Sequence, residues 1–254
     1  MPLRENASVP AVRRRWPSAG WCALIAAPML LIACATQTPS WQADKIAQIP
    51  ASHLQLIDST SQQTIGTIST ERVRRLLAVK DRIAAASGQS ATLFISSGNE
   101  ANAFSGYFTG GPFVAFNLGM IDLLGDDDDA CAAIMGHEFA HLRLGHASTR
   151  KEREQTRQGA AGLVGLLLGL VHVPAGGTIA DLGMQAASTV YSRDEERDAD
   201  RYGVGYMKKA GYDPKGAVRA WDRMSKTSGF SIPFLSTHPQ SGERLETMKQ
   251  LAGE

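Results

Sequence analysis

The sequence predicts an α+β domain, mainly helical, with a small β-sheet beside one chemically marked helix. Three observations carry this. Two short stretches rich in β-branched and aromatic residues, "ATLFIS" (91–96) and "PFVAFNLG" (112–119), read as strands. Apolar residues at helical spacing dominate much of the chain beyond the second strand. The stretch "IMGHEFAHLRLGH" (134–146) puts three of the chain's six histidines on one helix-like segment, two of them framing a glutamate. With 254 residues and a hydrophobic fraction of 43%, the chain can bury one sizeable core, and its net charge of +1 offers nucleic acid no general attraction.

At the N-terminus, "RRRWPSAGWCALIAAPMLLIAC" (13–34) runs from Arg13, Arg14 and Arg15 through an apolar stretch broken by Pro28 to the small residue Ala33. That layout is a secretory signal over residues 1–33, too short and poorly flanked for a transmembrane span. Its end, "LIAC", resembles a bacterial lipobox, which makes Cys34 the lipid-bearing first residue of the mature chain. Cys22 is excluded by the bulky Trp21 before it. Ala35, where an aspartate would mark inner-membrane retention, favours the outer membrane. Cys131 is then left without a partner and reads as a small core residue. Residues 34–69, rich in Gln, Ser and Thr, are expected to be a tether, with "HLQLI" (53–57) packing locally and His53 on the surface.

From Thr70, "TERVRRLLAVKDRIAAASG" sets Val73, Leu76, Leu77, Val79 and Ile83 at helical spacing and stops at Gly88, a C-terminal cap. Between the two strands, 96–111 reads as a loop. The acidic run Asp126 to Asp129 lacks the spacing of a calcium loop and instead suits a helix N-terminus. "GAAGLVGLLLGLVHVP" (159–174) is too short to cross a bilayer and reads as a buried helix, a membrane-surface contact or a partner-binding face, core packing foremost, with His172 as a packing residue. Helices are further expected at 178–190, 193–210, 214–226 and 240–252, with no internal repeat and no second independent domain.

On a helix, His137 and His141 differ by about 40° in azimuth, so both imidazoles can face one ion, and Glu138 lies about 100° away from His137. A neutral imidazole pair suits zinc, and a neighbouring carboxylate suits proton transfer from an attacking water. His146 is turned by about 180° from His137 on a continuous helix, which leaves it out of the set. The acidic candidates for a third ligand cluster in "YSRDEERDADRYG" (191–203). There Glu196 and Asp200 form an i, i+4 pair, a spacing that permits one to ligate and the other to support a histidine. Taken by itself, however, the segment reads rather as a solvated helix whose Arg193, Arg197 and Arg201 pair with these acids.

"HEFAH" followed by "SRDEERDAD" resembles the HtpX-like and CAAX-prenyl-endopeptidase family of zinc metallopeptidases. The resemblance implies a zincin-like domain over 70–254 in which one zinc ion is held by His137, His141 and Glu196. It further implies Glu138 as general base and Asp200 as the supporting aspartate. Asp198 stands where many relatives have glutamate. "NAF" (102–104) and "LSTHPQSGERL" (235–245), with Arg244, resemble two further family segments, although the 104–111 spacing departs from the usual one. Those segments add Asn102 and His238 as candidates. His238 either lines the cleft and stabilises an oxyanion or is a turn residue fixed by Pro239; it is also a candidate for blocking the fourth metal position. The match extends over about 70–252 and, lacking long apolar spans, is similar to the soluble periplasmic branch of LoiP-like and BepA-like proteases.

The expectation is therefore a membrane-tethered zinc endopeptidase acting on protein or peptide substrates in the envelope, with an extended substrate adding to the strand near 112–118. The competing class is a lipid-anchored chaperone or assembly factor with a latent or structural metal site. Glu138 argues against it, because a purely structural site has no use for a carboxylate beside an open position.

Overall fold

In the computed structural model, the described residues are 40–57, 62–108, 110–146, 190–227, 232–239 and 242–253. The signal and Cys34, the apolar stretch 159–174 with His172, and residues 178–189 of the helix expected at 178–190 lie outside them.

A four-stranded sheet, in the order β1-β4-β6-β5, joins β1 (Ser40–Gln42), β4 (Thr92–Ser96), β6 (Gly111–Asn117) and β5 (Ala103–Phe108). β4 and β6 are parallel, whereas β1 and β5 pair antiparallel with their neighbours. Leu93, Ile95, Val114 and Phe116 point from the sheet into the core, as alternation along a strand requires.

Two expectations are corrected here. Residues from Ser40 onward are not a tether: α1 (Ala43–Ala47) buries Ala43 and Ile46, and the hairpin of β2 (His53–Ile57) and β3 (Thr64–Ser69) buries Leu56 and Ile68. α1, β2 and β3 are five or six residues long and each buries one or two side chains, too few to register as a period. The 96–111 loop likewise contains β5, whose core-facing Ala103 and Ser105 are fully buried but small and give no apolar signal. Gly111 at φ +111 follows the β5–β6 turn. A consequence is that β6 is paired on both sides, so an incoming strand cannot add to 112–118. Among the described residues the edge strands of the sheet are β1 and β5, and β5 is the edge beside β6.

The helices follow the apolar spacing more closely. α2 (Thr70–Ser87) is capped by Ser69 and ends at Gly88 with φ +68, in the left-handed conformation that favours glycine. α3 (Leu118–Leu124) starts at Asn117, whose side chain accepts from the Met120 N–H. Then come α4 (Asp128–Arg143), α5 (Arg193–Lys209), α6 (Lys215–Lys226), the short α7 (Pro233–Thr237) and α8 (Gly242–Ala252). α4 is the central element, packed by α2, α5, α6 and the sheet. Its residues from Ala130 to Leu142 are almost all buried, including His137, Glu138 and His141. Burying three such side chains in a core is costly unless they are paired or serve a function.

The acidic run does cap α4. Asp127 accepts from the Ala130 N–H and forms a two-pronged ion pair with Arg219, 2.8 and 2.9 Å, with Arg223 adding a third contact at 2.8 Å. The Arg219 bonds, partly opposed by burial and helped by Ala130 and Arg223, hold the Asp127 carboxyl down at about 2. A carboxyl lowered on folding stabilises above its unfolded value and loses that contribution as pH falls through the folded one. Asp127→Asn keeps a capping oxygen but not the charge. It is expected to cost about 1 kcal/mol at pH 7 after allowance for solvent screening. Denaturant unfolding at stepped pH should show the difference from wild type shrinking between pH values of about 4 and 2.

Candidate metal centre

Three elements bring the chemistry together. α4 supplies His137, Glu138 and His141, α5 supplies Glu196 and Asp200, and His238 follows α7. The His137 and His141 Nε2 atoms lie 3.1 Å apart, and His238 Nδ1 is 3.2 Å from His137 Nε2 and 2.9 Å from Glu196 Oε1. His141 Nε2 is 3.4 Å from Glu196 Oε1. Four donors bound at about 2.0–2.1 Å to a tetrahedral ion are separated by about 3.3 Å. The observed separations match that figure, and the group could hold a metal ion. Two or three imidazoles and one carboxylate make a donor set that suits zinc.

α5 presents these acids inward because it is two-faced. Arg197 pairs with Asp194 and Glu243, and Arg201 with Asp198, on the exposed side. Glu196 and Asp200 are 1% and 2% exposed. The local arginine pairing that the composition suggests therefore does occur, but with the other carboxylates. Ser192 and Glu195 close a capping box at the start of the helix. Asp200 Oδ1 is 3.0 Å from His137 Nδ1, an arrangement that leaves Nε2 to face the cluster.

Burial opposes charge on His137, His141 and Glu196. His137 is nevertheless raised above the ordinary histidine value, because the Glu196 charge and the Asp200 hydrogen bond outweigh burial. Burial wins at His141, which is held well below that value. Glu196 is held far below the usual carboxylate range: burial pushes it up, and His137 with the contacts from His141 and His238 pushes it down further. Glu138 is completely buried beside them, and neither of its oxygens has a hydrogen-bond partner among the described residues. Its Oε1 lies 3.4 Å from His238 Nε2. A carboxylate left bare against a donor cluster fits the handling of a proton on a bound reactant.

α4 and α5 cross at two glycines. A Cβ built on Gly136 would sit 2.8 Å from the Gly203 carbonyl oxygen, and one on Gly203 would sit 2.9 Å from the His137 nitrogen. Only bare backbone allows this approach, and it sets the reach from Glu196 and Asp200 to His137. Gly203→Ala is expected to destabilise by about 1–3 kcal/mol through overpacking and to weaken zinc retention. Gly205→Ala, with nothing within 4 Å of the added carbon, should do neither. Denaturant unfolding and zinc content of the purified variants check both.

Some residues are not where the sequence puts them. His146 lies outside the donor cluster but is not remote from it: its Nδ1 is 3.0 Å from His141 Nδ1. α4 stops at Arg143 and Gly145 takes φ +75, so the azimuth of a continuous helix does not apply. Asn102 is not brought to the cluster by any contact among the described residues. Its backbone exchanges hydrogen bonds with Asn117, and its carboxamide oxygen is buried without a partner among the described residues. Tyr191 was not a candidate, yet its ring stacks on His141 at 3.7 Å between centroids and its N–H donates to Thr237 just before His238. An aromatic before a helix cap carries no signal of that role.

Comparison with known proteins adds an independent line. The family model for peptidase family M48 matches residues 70–252. A Vibrio cholerae protein with the provisional name beta-barrel assembly-enhancing protease is 30% identical over 170 residues, 63% of this chain and 34% of that protein. The Escherichia coli K12 metalloprotease YcaL is 25% identical over 132 residues, 52% of this chain and 51% of that one. Metalloprotease LoiP of the same organism is 24% identical over 195 residues, 74% of each. The chain thus spans about a third of the first of these relatives and half of the second.

Proposed function

The chain belongs to peptidase family M48 and is a metallopeptidase, and from that premise we propose that it is a zinc endopeptidase of the bacterial envelope, tethered by lipid on Cys34, that cleaves misfolded or unassembled envelope proteins. The observation that carries the site assignment is the convergence of His137, His141 and Glu196 from two helices beside the bare, buried Glu138. The anchor rests on the "LIAC" sequence. No helix among the described residues is long and apolar enough to cross a membrane. The envelope substrate class draws support from the relatives named for beta-barrel assembly.

His137, His141 and Glu196 would hold the zinc ion, which supplies Lewis-acid activation of water and of the scissile carbonyl. Asp200 fixes the His137 tautomer through Nδ1. Glu138 takes the proton of the attacking water and returns it to the leaving amine. β5, an edge strand among the described residues, receives the substrate backbone, since β6 is interior; Tyr107 on that strand donates to the Leu142 carbonyl of α4 at 3.4 Å, which ties the edge to the active helix. Main-chain pairing of this kind tolerates many sequences, as disposal of unfolded proteins requires.

A second reading concerns regulation. His238 Nδ1 sits within the donor group, where it would close the fourth position until substrate displaces it. One assay tests both. Protein from Ala35 onward is incubated with unfolded casein as prepared, after chelation, and after zinc is restored. Cleavage should disappear on chelation and return with zinc. A zinc-loaded protein that cleaves only as His238→Ala indicates the latch. A zinc-loaded protein inert in both forms would contradict the peptidase assignment for this substrate class and favour a lipid-anchored assembly factor.

A further inference from the structure

Arg244 lies 44 residues from Asp200 in sequence but against it in space, and it is only 4% exposed. Its Nε and Nη2 bond the two oxygens of Asp200 at 2.6 and 2.8 Å. Its Nη1 reaches Glu196 Oε2 at 2.6 Å and donates to the Pro239 carbonyl at 2.8 Å, one residue past His238. The guanidinium plane lies over the Trp221 ring, 4.7 Å from its centroid. One side chain therefore touches the third donor, the support of the first donor, and the segment that carries His238.

We propose that Arg244 is a positioning residue that fixes which carboxylate oxygen faces the metal centre. This rests on the assignment of Glu196 as a ligand. Glu196 has two oxygens. Glu196 Oε2 lies 2.6 Å from Arg244 Nη1 and 3.6 Å from His137 Nε2, whereas Oε1 is the nearer oxygen to the other donors, 3.4 Å from His141 Nε2 and 2.9 Å from His238 Nδ1, so the ion pair with Arg244 favours presentation of the carboxylate through Oε1. Asp200 is clamped from both sides: Arg244 holds both oxygens, and Oδ1 also meets His137 Nδ1. That fixes the aspartate as an acceptor and, through it, the His137 ring. The positive charge also offsets two buried carboxylates that would otherwise repel each other across a dry site. A lysine could carry the charge but not the fork, because only a guanidinium offers donors in fixed, coplanar directions to several acceptors at once. The Trp221 face restrains that plane.

Zinc affinity, read by competition with a chromophoric chelator, is the test, with circular dichroism and unfolding of the metal-free protein measured alongside. Arg244→Lys keeps a charge beside the carboxylates and is expected to fold and to bind zinc about 10-fold more weakly; Arg244→Gln should lose closer to 100-fold, the span seen when supports of metal ligands are removed. In the Glu196→Gln background, Arg244→Lys should cost less than it does alone, because one of its two routes to the metal is gone. Unchanged zinc affinity in folded Arg244→Lys, or full additivity with Glu196→Gln, would overturn the proposal and leave Arg244 a purely structural ion-pair partner. If Glu196→Gln itself leaves zinc affinity intact, the ligand assignment fails instead, so the two failures are distinguishable. Should Arg244→Lys lack native circular dichroism, Arg244→Gln is read in its place by the same criterion, and loss of fold in both variants counts against a role confined to positioning.

Discussion

Replacing Glu138 by glutamine is expected to lower kcat on an unfolded substrate by about 10³-fold, within the range that general acid–base groups contribute, while zinc content and KM stay close to wild type. The shape is preserved and the donor cluster does not include this residue. What is lost is the ability to accept a proton. The carboxylate has no hydrogen-bond partner among the described residues to lose, only a 3.4 Å approach to His238 Nε2, and the amide is of the same size, so the fold should be retained. A loss of about 10³-fold corresponds to about 4 kcal/mol of transition-state stabilisation. Equal falls in kcat and kcat/KM would mark an interaction made only in the transition state. Near-wild-type turnover with zinc bound would remove Glu138 from the mechanism.

The second large effect is expected at Glu196. Glu196→Gln replaces an anionic donor with a neutral amide and leaves Arg244 with one buried carboxylate partner in place of two. Zinc affinity should fall by more than about 100-fold, beyond what removal of an indirect support costs, and casein cleavage should become dependent on added zinc. Chelator competition separates this from a chemical defect, because a base variant loses turnover and keeps the metal. Retained affinity would mean that the oxygen donor comes from elsewhere.

Part of this site was legible because part of it is local. His137 and His141 sit four residues apart on one helix, and helical geometry alone puts them on one face. The Glu196 and Asp200 pair has the same property within α5, although spacing could not choose between a ligand helix and a solvated one, and the family resemblance was needed. Contacts that depend on long separations were not legible from spacing, and the resemblance alone brought His238 forward as a candidate for the metal position. Arg244 meets Asp200, and His238 meets Glu196, across 44 and 42 residues. His146 was misplaced for a local reason, because the helix ends before it and Gly145 turns the chain back.

The same division holds for the fold. Long helices with a buried stripe, such as α2 and α5, announce themselves through periodicity. β5 does not, because its core side chains are small and its period is hidden among glycines. Nor do β1, α1, β2 and β3, which bury at most two residues each and are held by partners elsewhere in the chain. The close crossing at Gly136 and Gly203 is invisible in sequence for the opposite reason: what matters there is the absence of a side chain on both helices at once.

The identity of the donor atoms can be read from anomalous X-ray scattering across the zinc edge on crystals of the zinc-loaded protein. One peak per chain is expected at bonding distance, about 2.0–2.2 Å, from His137 Nε2, His141 Nε2 and a Glu196 carboxylate oxygen. A peak bound elsewhere, or one that touches the histidines while Glu196 stays outside bonding distance, would contradict this donor set.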